Sequence, residues 1–260
     1  MEIKSSMSLK SEAIDWVKKY FEETANPQTK VVIGISGGKD SSVVAALCVE
    51  ALGKDRVVGV MMPNGIQKDI EDSIRLCKFL GIENYTVNIA GAMEGLSNSL
   101  KDALKNNDFS DQYKTNTPSR LRMTTLYSVA ANIGNARISC NGNLSERLTG
   151  FYTLWGDGAG DFAPLAYLFV REVVQLGLEL GLPEDLVRKP PHDGMCGMTD
   201  EDKLGFTYDE LEKVVTSKES EVDSNKVIKI KNRLKANSFK RKLLNLPCFI
   251  PSTKNSSDWY

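Results

Sequence analysis

Residues 31–52 read VVIGISGGKDSSVVAALCVEAL. Val31, Val32, Ile33 and Ile35 form the apolar run of a buried strand, and Ser36-Gly37-Gly38-Lys39-Asp40 makes a tight loop. The helix that follows carries Val43, Val44, Leu47 and Leu52 and is closed by Gly53, a preferred C-cap residue. A Gly-rich turn between strand and helix aims backbone N–H groups and the positive helix end at one point, which suits an anionic phosphate. Lys39 adds a mobile positive charge. Asp40, at the helix start, adds a carboxylate able to hold a magnesium ion that already bridges phosphates. The plainer reading is a glycine turn that only joins strand to helix.

Two phosphate loops are excluded. A Walker A loop needs Gly-x-x-x-x-Gly-Lys and then Ser or Thr, but Ile33 stands at the first Gly and Asp40 at the hydroxyl. A dinucleotide fingerprint needs Gly-x-Gly-x-x-Gly, which Gly34-Ile35-Ser36-Gly37 fails. Ser36 to Ser41 does resemble the SGGxDS loop of the N-type ATP pyrophosphatases. That resemblance implies that ATP adenylates a substrate and pyrophosphate leaves.

The 260 residues suffice for one α/β domain with a full core, or for two small ones. With 33 basic and 34 acidic residues, general nucleic-acid affinity is not indicated. Basic residues bunch between Lys226 and Lys242, either as a solvated helix face or as a receiver for a phosphorylated substrate. Five scattered cysteines without a C-x-x-C point to reduced thiols in the cytoplasm. His192 is the single histidine, so histidine metal sites and serine triads are nearly excluded. No stretch is long and apolar enough to span a membrane, and the N-terminus lacks a signal-peptide core.

Outward from the central stretch, the spacing predicts a helix over 11–24 and strands at 57–62 and 85–89. Between those strands a helix runs through Ile70, Ile74, Leu76 and Leu80 and ends at Gly81. Alternating strand and helix argue for βαβ units: an α/β, doubly wound parallel sheet. Polar residues 98–116 read as a helix and a mobile loop, with Pro118 opening the next helix. A short strand at 136–140 runs into NGNLSE, 141–146, a second strand-turn-helix. GDGAGD, 156–161, reads as a flexible loop, and a helix follows from Leu168 to Leu180. Residues 189–202 read as a loop, Thr207 to Glu210 as a capping box, and 226–234 as a last helix. One domain over 1–260 is the economical expectation. In open parallel sheets ligands bind at the carboxyl ends of the strands, so Asp40 and Glu146 can face one magnesium from two sides; a lone helical Glu facing solvent is the alternative.

Two later stretches narrow the family. CNGNLSERLTGFYTLWGDGAGDFAPL, 140–165, and MTDEDKLGFTYDEL, 198–211, closely resemble the NAD synthetases, in a match running on to FKRKLLNLP, 239–247. The resemblance implies a Rossmann-like, three-layer adenine nucleotide alpha hydrolase fold. It implies amidation of nicotinic acid adenine dinucleotide (deamido-NAD) by ammonia, with ATP as co-substrate, Mg²⁺, and release of AMP and pyrophosphate. Carried over by position, Gly34, Ile35, Ser36, Gly37, Gly38, Lys39, Asp40 and Ser41 hold ATP, joined by Asn141 and Thr199. Asp40 and Glu146 bind Mg²⁺, with Lys39 and Asp40 the catalytic candidates. Arg120, Asp161 and Lys240 bind deamido-NAD. A homodimer is implied too. So is the absence of a glutaminase domain, with nitrogen taken from free ammonia or from a separate glutaminase.

Plain alternatives stand beside these assignments: Arg120 or Arg122 as a surface charge, Thr199 as a cap, Tyr152 and Trp155 as core rather than stacking rings. The chain also departs from the family pattern. Asn141 replaces a usual Thr, Leu154 and Val170 replace lysines, and Phe239 replaces a His; Arg171 is a candidate substitute for the charge missing at Val170. Two rival functions remain: another N-type pyrophosphatase adenylating a different substrate such as tRNA, and a non-catalytic ATP-binding regulator.

Overall fold

The computed structural model describes residues 8–67, 70–105, 108–189, 199–243 and 248–254. Among these, β1 (Lys30–Gly34), β2 (Val57–Met61), β3 (Glu83–Thr86) and β4 (Ala136–Ile138) form one parallel sheet in the order β3-β2-β1-β4. The chain leaves β1 toward β2 and β3 on one side and reaches β4 on the other. The order therefore reverses between β1 and β4, and a crevice opens at the carboxyl ends of such a pair.

Helices cover both faces, because alternate strand residues are apolar in both directions. Val31, Ile33, Val57 and Met61 pack under α1 (Leu9–Thr24), α2 (Lys39–Leu52), α3 (Ile70–Leu80) and, further out, residues that include Val173 and Leu176. Val32, Val58, Val60 and Ile138 face Ala130, Leu121 and Val129 on the opposite side. The doubly wound α/β expectation holds, with three layers.

Several boundaries differ from the sequence reading. Residues 111–116 of the expected mobile loop and the helix expected from Pro118 are one helix, α5 (Asp111–Ile133), with Pro118 inside it and buried. Ser110 starts it by accepting from Tyr113 N at 3.2 Å, so the polar run is the exposed surface of a capped helix. It pairs with α4 (Ala90–Leu104) through Ser97 Oγ and Tyr113 Oη, 2.9 Å apart. β3 begins two residues before the predicted strand; past it the chain still follows β2, Val87 N donating to Met61 O and Ile89 N to Pro63 O. Residues 156–161 are tied down rather than flexible, since Asp157 Oδ1 accepts from Ser119 Oγ at 2.6 Å and Thr153 N at 2.9 Å.

After β4 come α6 (Leu144–Thr149), α7 (Val170–Glu179) and α8 (Glu184–Val187). The helix expected from Leu168 begins two residues later, because Leu168 is spent in a buried turn whose carbonyl accepts from Leu144 N. The loop expected at 189–202 becomes helical at α9 (Asp200–Leu204), while 190–198, with His192 and Cys196, lie outside the described residues. α10 (Tyr208–Val215) opens with the predicted capping box, and α11 (Ser224–Ala236) and α12 (Ser238–Leu243) follow. α10 and α11 share a small core of their own around Leu211 and Ile230. Cys48, Cys77 and Cys140 are buried, and neither they nor Cys248 form a disulfide.

Candidate active site

The loop after β1 is preorganised by its own hydroxyls. Ser41 Oγ accepts from Ser36 N at 3.3 Å and donates to Gly38 O at 3.1 Å; Ser36 Oγ accepts from Gly38 N at 3.2 Å. Gly37 sits at φ 78°, where a side chain is strained, and a Cβ there would also meet Ser73 Oγ at 3.1 Å. The first turn of α2 stays open above this loop, with Gly38 as a cap that has no side chain.

The second turn arrives from β4 and is sewn to the first across the strand-order reversal. Asn141 Nδ2 donates to Gly34 O at 3.1 Å, while its Oδ1 accepts from Ser139 Oγ at 2.7 Å. Asn143 caps α6 in a capping box with Glu146: its Oδ1 accepts from Glu146 N, and Glu146 Oε2 accepts from Asn143 N, both at 3.1 Å. The other end of that amide, Nδ2, donates to Asp40 Oδ1 at 3.0 Å. One buried asparagine thus fixes both candidate metal ligands.

Lys39 does not project as a mobile charge. It is 4% exposed, and its ammonium pairs with Asp40 Oδ2 at 2.8 Å. Burial works to lower its pKa, but Asp40, Glu146 and Asp200 outweigh that, and the net shift is upward. Glu146 is pushed well above the ordinary carboxylate range by burial and by Asp40, with Lys39 opposing. Asp200 and Tyr208 complete the cluster. Asp200 is 6% exposed, Tyr208 Oη donates to it at 3.4 Å, and burial with the three carboxylates raises the phenol's pKa.

Thr199 caps α9, its Oγ1 donating to Asp202 Oδ2 at 2.7 Å and accepting from Asp202 N; that cap delivers the next residue, Asp200, into the cluster. Arg120 and Lys240 meet elsewhere, around residues 150–157. Lys240 Nζ donates to Gly150 O at 2.8 Å and Tyr152 O at 2.7 Å and lies over the Tyr152 ring, while Arg120 Nε donates to Leu154 O at 3.3 Å. Burial first, then Arg233 and Arg120, lower the Lys240 pKa. Asp161 has a separate setting: Oδ2 accepts from Ile138 N at 2.8 Å and Oδ1 from Tyr127 Oη, beside a cavity of about 270 Å³ lined by both. Trp155 holds a positive φ of 61° and is half exposed, so its indole is not core.

The structure also accounts for departures in the sequence. Val170 is partly buried and packs with Phe151, Val215 and Leu234 against the α10–α11 core. Arg171, the candidate substitute for the charge missing there, pairs at the surface with Glu212 at 2.9 Å. Within the basic run, Lys226 pairs with Glu210, while Arg233 and Arg241 donate to Thr149 O and Leu148 O, so much of it braces the end of α6.

The sequence reading missed Asn143, Asp200 and Tyr208. Asn143 was legible as the first residue of an N-x-x-E capping box; the other two reach the cluster only through tertiary packing. The carboxylates supply hard oxygen donors with excess negative charge, which fits Mg²⁺, an ion usually held by one or two carboxylates plus substrate phosphates. Among the described residues, no cluster of three or more acids, histidines or cysteines by itself forms a metal cage.

Comparison with known proteins agrees with this geometry. The family model for NAD synthase matches residues 9–244. The NH₃-dependent NAD⁺ synthetase of Pyrococcus furiosus is 40% identical over 191 residues, 73% of this chain and 72% of the relative. That of Methanosarcina mazei is 36% identical over 251 residues, 90% and 95% of the two chains. Among solved structures, the NMN synthetase of Francisella tularensis superposes with a TM-score of 0.80 at 32% identity, covering 92% of this chain and 96% of that one. The NH₃-dependent NAD synthetase of Campylobacter jejuni gives 0.72 at 28%, covering 89% and 93%. With a family model matching residues 9–244 and relatives 36–40% identical over most of both chains, the chain belongs to the NAD synthase family.

Proposed function

We propose that this chain amidates the nicotinate carboxylate of deamido-NAD with ammonia, using ATP and Mg²⁺ and releasing NAD, AMP and pyrophosphate. The supporting observation is the seam across the strand-order reversal, Asn141 to Gly34 and Asn143 to Asp40, which joins a phosphate loop to two carboxylates.

A carboxylate resists ammonia because it is negative and its leaving group would be oxide. Transferring AMP to it makes a mixed anhydride that ammonia can open. The chain's part in this is placement and charge stabilisation. The N–H groups of the open α2 turn would receive a triphosphate, and the Ser36–Ser41 hydroxyl pair braces that loop. Asp40 and Glu146 would hold Mg²⁺, which neutralises phosphate charge on the departing pyrophosphate. Thr199, which caps α9 and precedes Asp200, is the further ATP contact in this reading. Arg120 and Lys240 offer cationic contacts to deamido-NAD, with Trp155 as an exposed ring close by in sequence and Asp161 as a further polar contact.

We also read 1–260 as one synthetase domain acting in the cytoplasm, with ammonia taken free or from a separate glutaminase. The reading includes a homodimer, with α4 and α5 as its candidate surface: α4 has no buried residue, and α5 buries only Pro118 and Ala130.

One observation favours a second reading of the substrate. The structural match to an NMN synthetase, at a TM-score of 0.80, points to the mononucleotide with the same nicotinate carboxylate. Equal deamido-NAD and nicotinate mononucleotide, offered together with ATP, Mg²⁺ and ammonium, separate the two. The primary reading expects a higher kcat/KM for the dinucleotide; a preference for the mononucleotide overturns it.

A further inference from the structure

Lys39 occupies the variable position of the SGGxDS loop, yet its side chain turns away from solvent. It ends on Asp40 Oδ2 at 2.8 Å, with only 3% of the side chain exposed. The remaining Asp40 oxygen is taken by Asn143 Nδ2. Glu146 and Asp200 act on the same ammonium from α6 and α9. A monovalent cation on a flexible tether therefore lies where the acids converge, against an oxygen that a divalent ion on Asp40 would use. Both cations seek the same negative charge, and a carboxylate oxygen facing an ammonium at hydrogen-bond distance cannot also enter a metal's inner shell from that side.

We propose that Lys39 is a tethered counter-cation of the Asp40–Glu146–Asp200 cluster, and that a divalent ion reaches Asp40 only by displacing the lysine ammonium. Free metal then binds weakly, because it must break the Lys39–Asp40 pair. The metal–ATP complex binds well, because the displaced ammonium gains triphosphate oxygens as new partners. Metal and nucleotide enter together by this route, and the lysine holds the acids in place beforehand. The proposal rests on the reading of Asp40 and Glu146 as the metal ligands, but not on the identity of the amidated substrate.

The test uses Mn²⁺ as probe on the full chain without nucleotide, its binding followed by electron paramagnetic resonance. Lys39→Met removes the ammonium and keeps the apolar stem. It should bind free Mn²⁺ about tenfold or more tighter than the unaltered protein, because a competing positive charge within a few ångströms has gone. Lys39→Arg retains the charge and should bind Mn²⁺ as weakly as the unaltered protein. Lys39→Met with Glu146→Gln should lose the gained affinity, locating it at this cluster. Thermal melting covers the risk that Lys39→Met folds poorly: millimolar Mn²⁺ should raise its Tm and leave that of the Arg variant unmoved. Unchanged or weaker Mn²⁺ affinity in a folded Lys39→Met protein overturns the counter-cation role. A gain that survives Glu146→Gln instead overturns the assignment of Glu146 as a ligand, and neither result depends on turnover of deamido-NAD.

Discussion

Asn143 serves two neighbours with one amide, and an isosteric change divides its roles. Asn143→Asp keeps an oxygen for Glu146 N, so the α6 cap survives, but it sets a carboxylate against Asp40 Oδ1. Activity should fall by about tenfold or more, since two acids at hydrogen-bond distance repel where a donor used to hold one of them. Asn143→Ala should instead lower stability by about 1–2 kcal/mol through the lost cap, read from chemical denaturation. Gly37→Ala is expected to cost about 1–3 kcal/mol, because φ 78° disfavours a side chain and Ser73 Oγ leaves little room. At this scale the sequence was readable where chemistry is local: the SGGKDS loop and Glu146 stand out by motif. Lys39 was not, since nothing in the order of residues says that its side chain folds back among acids contributed by α6 and α9.

Helix ends follow from composition better than helix interiors do. The box at Thr207 and Glu210 closes in the structure as the sequence predicts, and it also ties α10 to α11 through Lys226. Burial acts to raise the Glu210 pKa, but the bonds from Lys226 and Thr207 prevail and hold it below the ordinary value. A carboxyl lowered in the folded state stabilises above its unfolded pKa and loses that contribution as pH falls through the folded one. Glu210→Gln should therefore be less stable by up to about 1 kcal/mol at neutral pH, with the difference shrinking as pH falls below the ordinary carboxylate range. A difference that persists in acid would assign the effect to packing. Pro118 shows the opposite case. A proline reads as a helix start, but Ser110 supplies an earlier cap, and the stacked Phe109 and Tyr113 rings brace the first turn.

Across the molecule, the fold was legible because strand and helix alternate at βαβ spacing, and that alternation puts the loops after β1 and β4 at one edge. How far the second cluster around Arg120, Lys240 and Trp155 lies from a bound nucleotide was not, because it depends on how residues 150–157 lie over α5 and α12. The α4–α5 surface carries the dimer expectation. Light scattering should give twice the 28.7 kDa chain mass, and Leu96→Glu with Leu104→Glu, both in exposed α4 positions, should return the monomer. The central claim is adenylation of a carboxylate, and oxygen tracing tests it most directly. Deamido-NAD labelled with ¹⁸O in its nicotinate carboxyl is turned over with ATP, Mg²⁺ and ammonium, and the products are weighed. Attack of the carboxylate on the α-phosphorus, followed by ammonia expelling AMP, leaves one ¹⁸O in AMP and none in pyrophosphate. Label in inorganic phosphate, with ADP as the other product, would mean phosphorylation and contradict the account.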